Sequence, residues 1–259
     1  MSKVYVQPLY HAAVPELVAY AKAEGYNLEI ATFAYTNVYD MDWQQALNDH
    51  QQQLASFKGK VSFHGVFQDV TIHSRDQKIS QTSKQRILES LKVADALGAG
   101  QAVFHGSLNP LVRDEYYRKN WLDCNVEFWR QALDHFGGTV LLENVWEPKP
   151  ELFRSLLELV GSPRLKFCLD VGHANVYSQV PIKEWIATMG TDMTYMHLSD
   201  NNGEIDQHMD VGSGKIKWQT FTGDLKSHSL TPEVVLETCT LEKTQASIAY
   251  MKEHCVYPF

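Results

Sequence analysis

The sequence predicts one (β/α)8 TIM barrel spanning residues 1–259, and three observations predict it. Short apolar, strand-like runs alternate eight times with amphipathic helical stretches along the chain. A chain of 259 residues, 44% hydrophobic and without a linker or low-complexity segment, suits a single barrel with its own core. The turn after the first strand, QPLYHAA, lacks the glycine-rich phosphate loop expected of the alternative, a doubly wound open sheet.

The elements follow in order. Residues 4–7 are a first strand, and Pro15 helps to start a helix that runs to about Glu24 before Gly25 stops it. Residues 26–33 are the second strand, with a helix near 42–57. Residues 60–67 are the third, followed by a polar loop through Ser80 and a helix over 84–97 closed by Gly98. The fourth strand is 101–105, with a long helical segment over 113–136. The fifth is 139–143, with a helix from about 150 to 160. The sixth is 165–170, with a helix around 182–189. The seventh is 193–198, and 215–225 forms part of the next connection. The eighth is 234–237, and a helix over 241–254 completes the repeat.

A barrel of this kind carries its site at the C-terminal ends of its strands. Those ends hold His64 in VSFHG, His105 in AVFHG, Glu143 in LLEN, Asp170 in FCLDVGH, His197 in YMHLSD and Glu237 in VVLET. Each is an imidazole or carboxylate directly after an apolar run. One such residue is ordinarily a hydrogen-bonded rim residue, but six converging on one axis are costly to desolvate unless something positive neutralises them. A divalent metal is the simplest partner, and a set without Cys suits zinc, manganese or iron. The stretch 195–218 adds Asp200, Asp206, His208 and Asp210, more metal-type ligands than a merely soluble loop needs. Asp170 and His173 lie three apart where strand gives way to loop. Asp206 and His208 lie two apart, so an extended segment points both the same way. Nine residues thus stand as candidate ligands: His64, His105, Glu143, Asp170, His173, His197, Asp206, His208 and Glu237.

A net charge of −8 gives no global electrostatic reason to bind nucleic acid or an anionic membrane, so a nucleic-acid partner is not expected. The opening MSKVYVQPLYHAAVP has no signal-peptide run, and no stretch approaches a membrane span. Cys124, Cys168, Cys239 and Cys255 are scattered and read as reduced, mostly buried thiols of a cytoplasmic protein. A homodimer is the default assembly. His11 sits where it can line the pocket, whereas His50, His73, His135, His228 and His254 read as surface or helix-face residues.

The ordered set LLEN, LDVGHA, MHLSDNNGEIDQHMDVGSGKIKW and VLET resembles the xylose isomerase-like barrel superfamily across nearly the whole chain. That superfamily includes sugar phosphate isomerases/epimerases and AP endonucleases of the endonuclease IV type. The isomerase/epimerase resemblance implies one metal held by Glu143, Asp170, His197 and Glu237, with Glu143 and Glu237 as the acid/base pair. The endonuclease resemblance implies three zinc ions: His64 and His105 with bridging Glu143, then Asp170, His197 and Glu237, then His173, Asp206 and His208. The loops depart from the endonuclease pattern. Asn144, Val145 and Trp146 stand in place of a Gly-Gln-Gly run, Val171 and Gly172 in place of Thr-Cys, and Ser199, Asp200 and Asn201 in place of Asn-Asp-Ser. No basic, aromatic-interleaved loop is present to grip a duplex.

The expectation is therefore a metal-dependent isomerase or epimerase of a small sugar or sugar phosphate, using one to three divalent ions, zinc or manganese. Glu143 and Glu237 pass a proton through an ene-diolate while the metal acts as Lewis acid. The rival is a zinc-dependent phosphoester hydrolase. His173, Trp146, Trp218 and Arg75 are the expected substrate contacts, with Phe33 as a further candidate wall.

Overall fold

The computed structural model describes residues 2–7 and 14–259. Eight strands, β1 Val4–Val6, β2 Asn27–Ile30, β3 Val61–His64, β4 Gln101–His105, β5 Thr139–Glu143, β6 Leu165–Asp170, β7 Met193–Leu198 and β8 Glu233–Leu236, pair in parallel in chain order. The first also pairs with the last, Val4 opposite Val234 and Val6 opposite Leu236, so the sheet closes. The helices are α1 Val14–Glu24, α2 Trp43–Leu54, α3 Gln77–Ala96, α4 Glu115–Ala132, α5 Glu151–Val160, α6 Val171–Tyr177, α7 Ile182–Met189, α8 Trp218–Ser227 and α9 Leu241–Glu253. The predicted (β/α)8 barrel is the observed one.

Each strand sorts its side chains by the two-residue period of extended backbone. Outward-facing Leu28, Phe63, Phe104, Leu142, Phe167, Met196 and Leu236 pack into one buried cluster with Leu91, Trp129, Phe153, Trp185, Phe221 and Ile248 of the helices. The alternate residues point into the barrel. Tyr5, Val103, Leu141, Cys168, Tyr195 and Val235 form a separate inner cluster. Two residues further along β4 to β8 stand His105, Glu143, Asp170, His197 and Glu237. The chain thus seals the barrel with an apolar layer and stacks acids and imidazoles above it, at the mouth. Covered by sheet on all sides and by the layer below, those polar groups sit in a low-dielectric setting.

Some boundaries differ from those predicted. The third helix starts at Gln77, not near residue 84, because the Asp76 side chain accepts from the Lys78 and Ile79 amides and caps it. The second strand stops at Ile30, where the Ala34 amide bonds back to Ala31 and turns the chain. An unpredicted short helix, α6, follows β6 directly. Asp170 caps it, accepting from the His173 amide at 2.6 Å.

The thiols are all free, as expected, but only Cys168 is buried. His50 lies on a helix face as expected, on the buried side of α2, whereas His73 is 3% exposed in a turn and not a surface or helix-face residue. His50 bonds Thr32 and the Ala46 carbonyl, and His73 bonds the Tyr117 hydroxyl. His11 lies outside the described residues. Among those residues, no helix is long and apolar enough to cross a membrane.

Candidate active site

The nine predicted ligands meet at the barrel mouth. Glu143, fully buried at the end of β5, is the hub. Its Oε2 lies 3.5 Å from His64 Nε2 and 3.3 Å from His105 Nε2, and its Oε1 lies 3.3 Å from both His173 Nδ1 and His197 Nδ1. His197 Nδ1 is also 3.2 Å from Glu237 Oε2 and 3.9 Å from Asp170 Oδ2. One ligand atom each from Glu143, Asp170, His197 and Glu237 fits within 4.8 Å. The same holds for His64, His105 and Glu143, and for His173, Asp206 and His208. In the last set, Asp206 Oδ2 sits 3.2 Å from His173 Nε2 and 2.9 Å from His208 Nε2. His208 has φ of +43°, so the segment is not extended as predicted, yet it still brings both side chains together.

Backbone carbonyls aim several of the imidazoles. Nδ1–H of His64 donates to Gly65 O at 3.0 Å, that of His173 to Asn144 O at 2.9 Å, and that of His208 to Glu237 O at 3.1 Å. In all three rings this leaves Nε2 facing the carboxylates, the atom that would ligate a cation once its proton is displaced. Asn144 clamps the β5 and β6 ends together: its Nδ2 donates to Asp170 O and its Oδ1 accepts from the Asp170 amide, both at 2.9 Å.

The residues fit a divalent cation. Both oxygens of Glu143, Asp170 Oδ2, Glu237 Oε2, Asp206 Oδ1, His105 Nε2 and both ring nitrogens of His197 are buried without a hydrogen-bond partner. So many orphaned polar atoms in one place have a cost that a cation removes. The electrostatics agree. Burial pushes Asp170 up to about 7, helped by the negative charges of Glu143 and Glu237. Burial also opposes the charge on Glu143, but His197 and His105 outweigh it and hold that carboxyl well below its usual range. His208, despite burial, is raised to about 10 by Asp206 and Glu237. Protons thus occupy, in the cation-free protein, the positive role that a metal would take.

A cleft of about 1190 Å³ opens above these groups. His64, His105, His173, Asp206, His208 and Glu237 form part of its lining, with Tyr35, Phe67, Tyr117, Trp146 and Tyr177 around it. Trp146 and Arg75 line it as predicted, with Trp146 47% exposed at the rim. Trp218 does not: it is 1% exposed, its Nε1 donates to Asp200 Oδ2 at 2.8 Å, and its ring packs on Phe221. Phe33 is fully buried against Phe63 and likewise forms no wall.

Asp200 and Asp210 join none of the ligand groups among the described residues. Asp200 instead anchors the loop. Its Oδ1 accepts from the amides of Asn201 and Ile216, and its Oδ2 from the Gly212 amide and the Trp218 indole. The glycines of DVGSG permit this. A Cβ on Gly214 would lie 2.2 Å from Asp200 Oδ1, and Gly212 has φ of +95° with the Tyr250 ring against it.

Two further acids, Glu29 and Glu147, are buried near the site although neither was expected there. Glu29, inward-facing in β2, lies with Oε1 3.0 Å from His197 Nε2. A charged residue inside the run NLEI was the available signal. Glu147 accepts from the Leu108 and Val145 amides and ties two mouth loops together, and burial raises its carboxyl.

Residues 16–254 match the family model described as xylose isomerase-like TIM barrel. The chain belongs to this family. It is 26% identical over 212 residues to an uncharacterised protein of Methanocaldococcus jannaschii, covering 80% of this chain and 82% of the relative. Among solved structures it resembles a protein of Thermus thermophilus whose crystal was soaked with zinc chloride. That match has 27% identity and a TM-score of 0.78 over 97% of both chains. It also resembles a D-tagatose 3-epimerase-like protein, at 21% identity and a TM-score of 0.78, over 98% of this chain and 97% of the other. The latter likeness is one of fold.

Proposed function

We propose that this xylose isomerase-like barrel is a metal-dependent isomerase or epimerase of a small sugar or sugar phosphate. The observation that carries the reading is the pair of buried carboxylates, Glu143 and Glu237, placed 3.3 Å and 3.2 Å on either side of His197 Nδ1 beneath an aromatic cleft. Glu143, Asp170, His197 and Glu237 would hold a divalent metal, zinc or manganese. When bound, it supplies Lewis-acid polarisation of a substrate oxygen. A carboxylate that gives one oxygen to a cation keeps a second for a proton. One of the pair, ionised, takes the proton from the carbon beside the carbonyl, and the other, starting protonated, gives its own proton to the adjacent carbon or the opposite face, so the two end with their protonation exchanged. His173 and Arg75 contact substrate oxygens, and Trp146 packs on the sugar's apolar face. The aromatic cleft wall keeps water from the carbanionic centre. The D-tagatose 3-epimerase-like neighbour supports a sugar substrate at the level of fold.

A second reading rests on a specific observation. His64 with His105, and His173 with Asp206 and His208, form two further ligand groups beside the central one. Three ions so placed would suit a zinc-dependent phosphoester hydrolase. The test is metal content by mass spectrometry alongside two assays on the same loaded protein. One follows chromatographic interconversion of ketohexoses, and the other nicking of an abasic-site duplex. Turnover of a ketohexose without nicking is expected. About three zinc ions per chain with duplex cleavage and no sugar turnover would overturn the isomerase reading.

A further inference from the structure

Beneath the mouth lies a buried carboxylate that the proposed reaction does not use. Glu29 is fully buried, in the second strand, on the side of His197 away from the four-ligand group. Its Oε1 accepts from Gln7 Nε2 at 2.8 Å and lies 3.0 Å from His197 Nε2. Its Oε2 accepts from Ser62 Oγ at 3.2 Å, and Ser62 Oγ is 2.5 Å from the Tyr195 hydroxyl. Ser62 and Tyr195 are themselves fully buried. A buried acid is costly to desolvate unless its partners compensate, and nothing in the apolar layer below requires a charge there. His197 also differs from His64, His173 and His208. Those three are aimed by a carbonyl on Nδ1 and present Nε2, whereas His197 presents Nδ1 to Glu143, Asp170 and Glu237. Its Nε2 must therefore carry the proton when Nδ1 is a ligand, and the only acid facing that nitrogen among the described ion pairs is Glu29.

We infer that Glu29 is a positioning residue that fixes His197 as the Nε2–H tautomer and so aims its Nδ1 lone pair at the cation. The inference rests on the metal-binding reading above. Ser62 donates to Glu29 and accepts from the Tyr195 hydroxyl, which holds the carboxylate with Oε1 3.0 Å from His197 Nε2. That nitrogen has no hydrogen-bond partner in this structure, and ligation of Nδ1 would turn the contact into an Nε2–H donation to Glu29. A carboxylate behind a ligating imidazole raises the basicity of its free nitrogen, and losing such a partner typically costs about 10–100-fold in metal affinity.

The experiment is competition of Zn2+ between the protein and a chromophoric chelator, for wild type, Glu29→Gln and Ser62→Ala. A 10–100-fold loss is expected for Glu29→Gln, which keeps the shape but removes the charge, and a smaller loss for Ser62→Ala. Nitrogen-15 NMR of the zinc-loaded wild type is expected to place the His197 proton on Nε2, a readout that needs no variant to fold. A merely structural Glu29 would lower the melting temperature of both forms and leave the ratio of zinc affinities at one, which would overturn the inference. A His197 proton on Nδ1 would overturn it as well. Wild type that binds no zinc would remove the metal reading and this inference together, whereas binding unchanged in Glu29→Gln removes only the latter.

Discussion

Replacing Asp200 by Ala should destabilise the protein strongly, although the residue does not line the cleft. The carboxylate is fully buried and accepts four hydrogen bonds, from the Asn201, Ile216 and Gly212 amides and the Trp218 indole, at 2.9, 3.2, 3.0 and 2.8 Å. Hydrogen bonds to a charged group each contribute roughly 1.5–3 kcal/mol, but they are not additive, and water can re-solvate part of the exposed loop. Leaving a buried donor unsatisfied costs about 1–3 kcal/mol, so with four donors, part of them re-solvated, a net loss of about 3–5 kcal/mol is the expectation here. For a chain of this size each kcal/mol moves the melting temperature by roughly 2–4 °C, so a fall of about 6–20 °C is expected. Differential scanning calorimetry of the metal-free protein measures it. The loop also carries Asp206 and His208, so the variant should lose zinc capacity at that group while retaining the central site. A melting temperature within about 2 °C of wild type would refute the assignment of Asp200 as the loop's anchor.

Three further outcomes follow from the site. Metal uptake should strengthen as pH rises: Asp170, raised to about 7, and His208, raised to about 10, hold protons that a cation must displace. Zinc affinity, measured calorimetrically in buffers of different ionisation enthalpy, should rise about tenfold per pH unit for each proton released and be weakest below pH 7. A flat profile between pH 6 and 8 would contradict it. Glu237→Gln should lower turnover about 10²–10⁴-fold, with a smaller change in KM, in steady-state kinetics on the sugar that the wild type converts. Trp146→Ala should raise KM several-fold, on the order of 1 kcal/mol of lost ring contact, and leave the melting temperature almost unchanged because the ring is 47% exposed.

Much of the architecture was legible because barrels write themselves in periodicity. The runs before His105, Glu143, Asp170 and His197 end at their predicted residues, since apolar continuity and a polar strand end both act locally. The errors fell where a single side chain redirected the backbone. Asp76 capped a helix through a stretch that reads as polar loop, and Asp170 turned the end of β6 directly into α6. Trp218 was misplaced because an aromatic beside a ligand-rich loop looks the same in sequence whether it faces the cleft or anchors the loop.

The sequence by itself determined the (β/α)8 class and the nine residues that gather at the mouth, because strand-end positions and two-residue alternation are properties of the local chain. Only the tertiary structure decided which acids serve which purpose. Asp200 and Asp206 lie six residues apart and are chemically identical, yet four donors surround the first and two imidazoles face the second. Glu29 and His197 lie far apart in the chain and meet at 3.0 Å only because the sheet closes. What a carboxylate does depends on the donors and charges that surround it, and closure of the barrel, not local sequence, supplies them.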